Sequence, residues 1–192
     1  MQQATLRYRV IRSDRRTLAL QIKEGALVVR APRMTSDERI AAFVRENRAW
    51  IEQHLAAWQR RAAAAAQLPP LGHDELLALA QRAREVIPAR VQYYAARLGV
   101  TYGRITIRNQ RTRWGSCSRT GNLNFNCLLM MAPLGVVDSV VVHELCHRKE
   151  MNHSPAFYRW VLSVFPEYYR YHAWLKQNGP ALLLRMQQGS AQ

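Results

Sequence analysis

Lysine is almost missing from this chain of 192 residues: Lys23, Lys149 and Lys176 are its three, although lysine and arginine together number 28. Acids are scarce as well, 13 Asp and Glu in all, so the net charge of +15 rests on arginine. A surplus of that size attracts anionic partners from a distance, and an arginine-rich surface suits nucleic acid or a nucleotide. The arginines are scattered rather than gathered in one block, which is also how a solvated surface reads. Apolar runs are short, and none approaches the ~20 residues of a membrane-spanning helix. "MQQATLRYRV" at the start has no apolar centre of the kind a secretory signal carries, so a cytoplasmic protein with no membrane partner is the expectation. Cysteine is limited to Cys117, Cys127 and Cys146. An odd number without a C-x-x-C pair excludes a disulfide scaffold and a zinc knuckle, and leaves buried thiols. A glycine-rich phosphate loop of the G-x-x-x-x-G-K-S/T kind is also missing.

What is present is a globular composition, 48% hydrophobic and 21% charged. Alternation in "TLRYRVIRS", "RTLALQI" and "GALVVRAP", with turns at Ser13-Asp14 and Glu24-Gly25, predicts a meander of short antiparallel strands from Thr5 to Arg30. Pro32 ends it. Thr35 or Ser36 then caps a helix whose Ile40, Phe43, Val44, Trp50, Ile51 and Leu55 form one apolar stripe. That helix fades through the alanines into Pro69-Pro70 and Gly72, which cannot readily continue it. The chain thus divides into residues 1–70, a meander and helix, and residues 71–192. In the second part a helix is expected from Asp74 to Leu98, and Gly99 stops it. "RITIRN" and "NLNFN" read as strands around the basic segment "QRTRWGSCSRTG", and from about Val136 the chain is helical apart from breaks near Asn152 and Pro166. The fold class is α+β.

Three of the six histidines fall within "HELCHRKEMNH", residues 143 to 153. On a helix His143 and His147 project from one face about a turn apart, so two imidazoles can ligate one ion. Glu144 lies roughly 100° further round, beside the ion rather than on it, placed to take a proton from metal-bound water. This is the H-E-x-x-H arrangement of zinc hydrolases. Asp138 or Ser139 is the expected cap of this helix. A catalytic zinc needs a third ligand, and His153 follows after an interval that lets the chain leave the helix and turn back. Asn152 is the candidate turn residue, since Asn tolerates positive φ, and Ser154-Pro155 opens the next helix as cap and first position. His172 and Glu167 are weaker ligand candidates, and Cys146 reads as a buried thiol.

The segment "RTRWGSCSRTGNLNFNCLLMMAPLGVVDSVVVHELCHRKEMNHSPAFYRWV" resembles the YgjP-like metal-dependent hydrolases, relatives of the SprT-like and WLM metallopeptidases. "RWGSC", "GNLNFN", "VVVHELCH" and "NHSPAF" carry the resemblance, which extends to "RTLALQI" and "GALVVRAP" near the N-terminus. It implies one zinc ion on His143, His147 and His153, with Glu144 as general base and zinc-bound water as nucleophile, in a mainly helical zincin-like metallohydrolase domain with a small β-sheet beside the motif helix. Arg148 stands where the family usually has an apolar residue, and Tyr158 where tryptophan is common. Related metallopeptidases line the cleft with a strand to which an extended peptide pairs; Leu123 to Asn126, with Asn124 among them, is the candidate.

Arg113 and Trp114, with Arg108 and Arg111, suit an anionic portion of substrate; equally, Trp114 fills the core while Gly115 and Ser116 make a turn. Tyr158, Tyr168, Arg113 and His172 are all candidate donors to a transition-state oxygen. Three functions compete. The first is a zinc metallopeptidase acting on protein or peptide, in the manner of DNA-associated SprT-like enzymes. The second, implied by the resemblance, is a metal-dependent nucleotide (UTP-type) pyrophosphatase. The third is a nucleic-acid-binding module with structural zinc, in which Glu144 would have no role.

Overall fold

A computed structural model describes residues 6–67 and 69–189. The expected start of the first strand, Thr5, lies outside them. Two compact units divide the chain, residues 1–64 and 65–192.

The first unit opens with β1 (Tyr8–Ser13), β2 (Ala19–Lys23) and β3 (Ala26–Pro32). Their order is β1-β3-β2, with β1 parallel to β3 and β2 antiparallel to it, so the expected antiparallel meander is corrected. Alternation locates strands but says nothing of their neighbours. β3 buries Leu27, Val28, Val29 and Ala31, and the strand that is apolar on both faces takes the centre. The β2–β3 hairpin closes through Glu24 and Gly25, both at positive φ (52° and 80°), as a two-residue loop with matching twist requires. Ser36 caps α1 (Asp37–Glu46) by accepting from the Arg39 amide. The single long helix expected here is two, because α2 (Arg48–Ala66) restarts after Asn47, whose side-chain amide donates to the Phe43 carbonyl at 2.8 Å and competes with helix continuation. Ile40, Val44 and Ile51 pack with β3 as this unit's core.

In the second unit α3 (His73–Leu98) runs unbroken through Pro88 and ends at Gly99, which adopts the left-handed conformation. β4 (Ile105–Arg108), β5 (Gly115–Cys117) and β6 (Leu123–Asn126) form a sheet ordered β4-β6-β5. β5 replaces the turn expected at Gly115-Ser116. A 3-10 turn at Cys127–Met131 leads to α4 (Leu134–Cys146), followed by α5 (Pro155–Val164) and α6 (Tyr168–Gly189). The valines of α4 favour strand intrinsically, but Val136, Val137, Val140, Val141 and Val142 are all buried, and packing on every side overrides propensity. The helix starts at Leu134, so Asp138 and Ser139 are interior rather than capping residues. Asp138, 6% exposed, instead forms a two-bond ion pair with Arg90 of α3 (2.6 and 2.7 Å). This clamps the motif helix to α3. The segment before α3 is pinned to α6, since the Leu71 amide donates to the Arg185 carbonyl and the Arg185 guanidinium returns a bond to Pro69.

Candidate metal centre

α4 delivers His143 from its body and His147 from the residue that caps its C-terminal end, where the backbone is still helical. The chain then turns through residues 148–152. Asn152 makes that turn without positive φ: its side-chain oxygen accepts from the Ser154 amide, and the Ser154 hydroxyl accepts from Phe157 to start α5. His153 is carried back by this path. The ligand atoms of His143, His147 and His153 lie within 4.8 Å of one another, the only such group of His, Cys, Asp and Glu among the described residues.

The ring orientations fit a cation. His147 Nδ1 faces the Glu150 carbonyl at 3.2 Å, and a carbonyl only accepts, so Nδ1 carries the hydrogen and Nε2 the lone pair. His143 Nδ1 lies 2.9 Å from the Tyr168 hydroxyl, which leaves its Nε2 to face His153 Nε2 at 2.9 Å. At that distance one ring nitrogen can donate to the other, and the same two nitrogens can instead turn their lone pairs to a shared cation. Phe157, fully buried, lies under all three rings with centroids 4.8–5.0 Å away. His143 is held down at about 3, first by burial and then by His147 and His153, so it stays a neutral donor at physiological pH. A set of three imidazoles suits zinc and its first-row neighbours. Glu167 instead pairs with Arg170, and Cys146, its thiol pushed up to about 12 by burial, belongs to the core.

Glu144, 6% exposed, points along the helix side facing β5. Burial pushes its carboxyl up to about 7, while Arg113 and the Cys117 amide favour ionisation. Beside it opens a cavity of about 280 Å³ whose lining includes His143, Glu144, Arg113, Trp114, Tyr168 and His172.

The family model described as YgjP-like, metallopeptidase domain, matches residues 16–79 and 74–178. The chain belongs to the YgjP-like metallopeptidase family. Among solved structures, it is similar to the metallopeptidase zymogen jannalysin of Methanocaldococcus jannaschii, at 21% identity and TM-score 0.43, over 47% of this chain and 94% of that one. It is also similar to the zymogen abylysin of Pyrococcus abyssi, at 22% identity and TM-score 0.42, over 48% and 98%. A search of curated proteins found no match.

In this metallopeptidase-family hydrolase the candidate contact residues part company. Arg113 and Trp114 line the cavity, and Trp114 packs on the core as well. Asn124 does not reach the cavity: it accepts from Arg108 and donates to Ser116 on the sheet. Tyr158 stacks among His153, Phe157 and Tyr169, away from the cavity lining. β6 is paired on both edges, so Leu123 to Asn126 has no free edge for a peptide, and that expectation is corrected. The free edge beside Glu144 belongs to β5. Asn126 donates to the Trp114 carbonyl and Ser118 to that of Asn122, which turns the backbone groups of Gly115 and Cys117 the other way. Arg148 has a local task, donating to the Thr101 and Arg119 carbonyls at 3.0 Å each. Sequence reasoning passed over the Cys117 amide and Gly115, because a strand three residues long with two small side chains carries no periodic signal.

Proposed function

We propose that this chain is a zinc-dependent peptidase in which His143, His147 and His153 hold the ion and Glu144 is the general base. The observation that carries the reading is the convergence of three imidazoles one residue away from a buried carboxylate that borders a cavity. When bound, the metal would supply Lewis-acid polarisation of the scissile carbonyl and a lowered pKa for water.

Glu144 takes the proton of the attacking water and passes it to the leaving amine. A carboxyl raised towards neutrality by burial is suited to both halves of that exchange. Arg113 draws Glu144 towards ionisation and presents its guanidinium to the same cavity, where it can steady developing negative charge. The outward backbone groups of Gly115 hold an extended substrate strand beside Glu144. With the metal bound, His143 Nδ1–H donates to the Tyr168 hydroxyl, which orients the ring so that Nε2 is presented to the ion.

The test compares zinc-loaded wild type with Glu144→Gln on a denatured protein mixture, with and without single-stranded DNA, counting new N-termini. Cleavage that depends on Glu144 is expected, and stimulation by DNA would tie the positive charge to the activity. If no cleavage depends on Glu144, peptide hydrolysis at this site is removed, and nucleoside triphosphates are then the substrates to assay.

A further inference from the structure

A second cavity, of about 550 Å³, lies between α3 and β4, away from the histidines. Its lining combines three features. The first is the outer edge of β4. Leu123 donates to the Arg104 carbonyl, so residues 104, 106 and 108 turn their backbone groups to β6, and Ile105 and Ile107 turn theirs into the cavity. The second is Pro88, which has no amide hydrogen; the Arg84 carbonyl one turn earlier loses its helical donor on this wall. The third is charge. Arg84, Arg104 and Arg108 all line the cavity and no acid does. The guanidinium groups of Arg84 and Arg104 have no hydrogen bond or ion pair among the described residues, and Arg108 has only the amide oxygen of Asn124.

We propose that this groove binds an extended acidic polypeptide, which adds as a strand to β4. An open strand edge is a template for another backbone, and proteins ordinarily cover such edges or guard them. Here the flanking arginines guard against cationic chains and select anionic ones. Arg104 and Arg108 lie on one face of β4 with Thr106 between them, so the incoming strand carries its acids at alternate positions on that face. Its other face meets Pro88 and the stem of Arg84, which suits small apolar residues. Backbone pairing favours a polypeptide over nucleic acid, and no aromatic side chain lines the groove for bases to stack on. The site is separate from the histidine cluster and holds its ligand whether or not that cluster cleaves it.

The probe is a fluorescein-labelled dodecapeptide of alternating Glu and Val, titrated with the full chain and followed by anisotropy. Binding is expected to weaken roughly ten-fold in the Arg104→Gln, Arg108→Gln double variant, two exposed substitutions that leave the core untouched. Peptides N-methylated at every second residue test the strand pairing without altering the protein. Methylation in one phase should abolish binding, and in the other phase should leave it unchanged. Equal tolerance of both phases would overturn the proposal, since attraction would then be charge alone. So would tighter binding of a labelled oligothymidylate that shows the same arginine dependence.

Discussion

Glu144 Oε1 lies 2.7 Å from the point where a side chain on Gly115 would begin. That is closer than any real methyl carbon sits to an oxygen, so the carboxylate occupies the space that glycine vacates. Gly115→Ala should displace Glu144 and lower kcat/KM about 100-fold, because a misplacement of about 1 Å costs that much in a positioned base. Bound zinc should stay at the wild-type level, since Gly115 does not touch the histidines. Loss of zinc together with activity would show that β5 supports the whole centre rather than Glu144 alone.

The buried carboxyl has a consequence for stability. Its value in the folded protein is about 7, against an ordinary 4.5. The metal-free folded state therefore favours the neutral acid, and ionisation weakens it progressively as pH rises through that interval. Glu144→Gln carries no such penalty. At pH 8 the metal-free variant should be more stable than wild type by about 3 kcal/mol, and at pH 4 the advantage should vanish. His143, lowered from 6.5 to about 3, acts in the opposite sense: both proteins lose stability as pH falls below its ordinary value. Comparing the two proteins at each pH isolates Glu144. An equal advantage at both would point to packing rather than charge.

Tyr168 OH and His143 Nδ1 are 2.9 Å apart. Tyr168→Phe keeps the ring against its neighbours and removes only the oxygen, so His143 loses the partner that orients it. Zinc affinity, measured by competition with a chromophoric chelator, should fall about 10- to 100-fold while the unfolding midpoint of the metal-free protein barely moves. Unchanged affinity would reduce Tyr168 to a wall of the cavity.

Asp138 and Arg90 join α4 to α3. Asp138→Asn leaves the half-buried Arg90 guanidinium without its counter-charge and should cost about 2 kcal/mol in denaturant unfolding. The double variant Arg90→Met, Asp138→Leu should recover most of that loss. If it does not, the pair contributes more than charge compensation.

Much of the site was legible in the chain because its spacing is helical. His143 and His147 share a face in any helix, and Ser154-Pro155 announces a new helix wherever it occurs, so the turn carrying His153 follows locally. Three features of the candidate metal centre depend on how separate elements pack together. Tyr168 reaches His143 from α6, 25 residues on. Phe157 underlies all three rings only once α5 packs on α4. The Glu144 environment is made by a strand that sequence reads as a turn.

The sequence by itself determined the helix that presents His143 and His147, the turn that returns His153 to them, and the two strand-bearing segments of the α+β fold, since these rest on 3.6- and 2-residue periodicity and on caps. The tertiary structure decided which strand is central in each sheet and which edge faces Glu144. It also decided that Asp138 is a clamp rather than a cap, and that Asn124 and Tyr158 stand apart from the cavity. Strand order depends on the competition among apolar segments for the buried centre, and a buried charge depends on which partner the fold brings to it. Both are properties of the whole packed chain rather than of any local pattern.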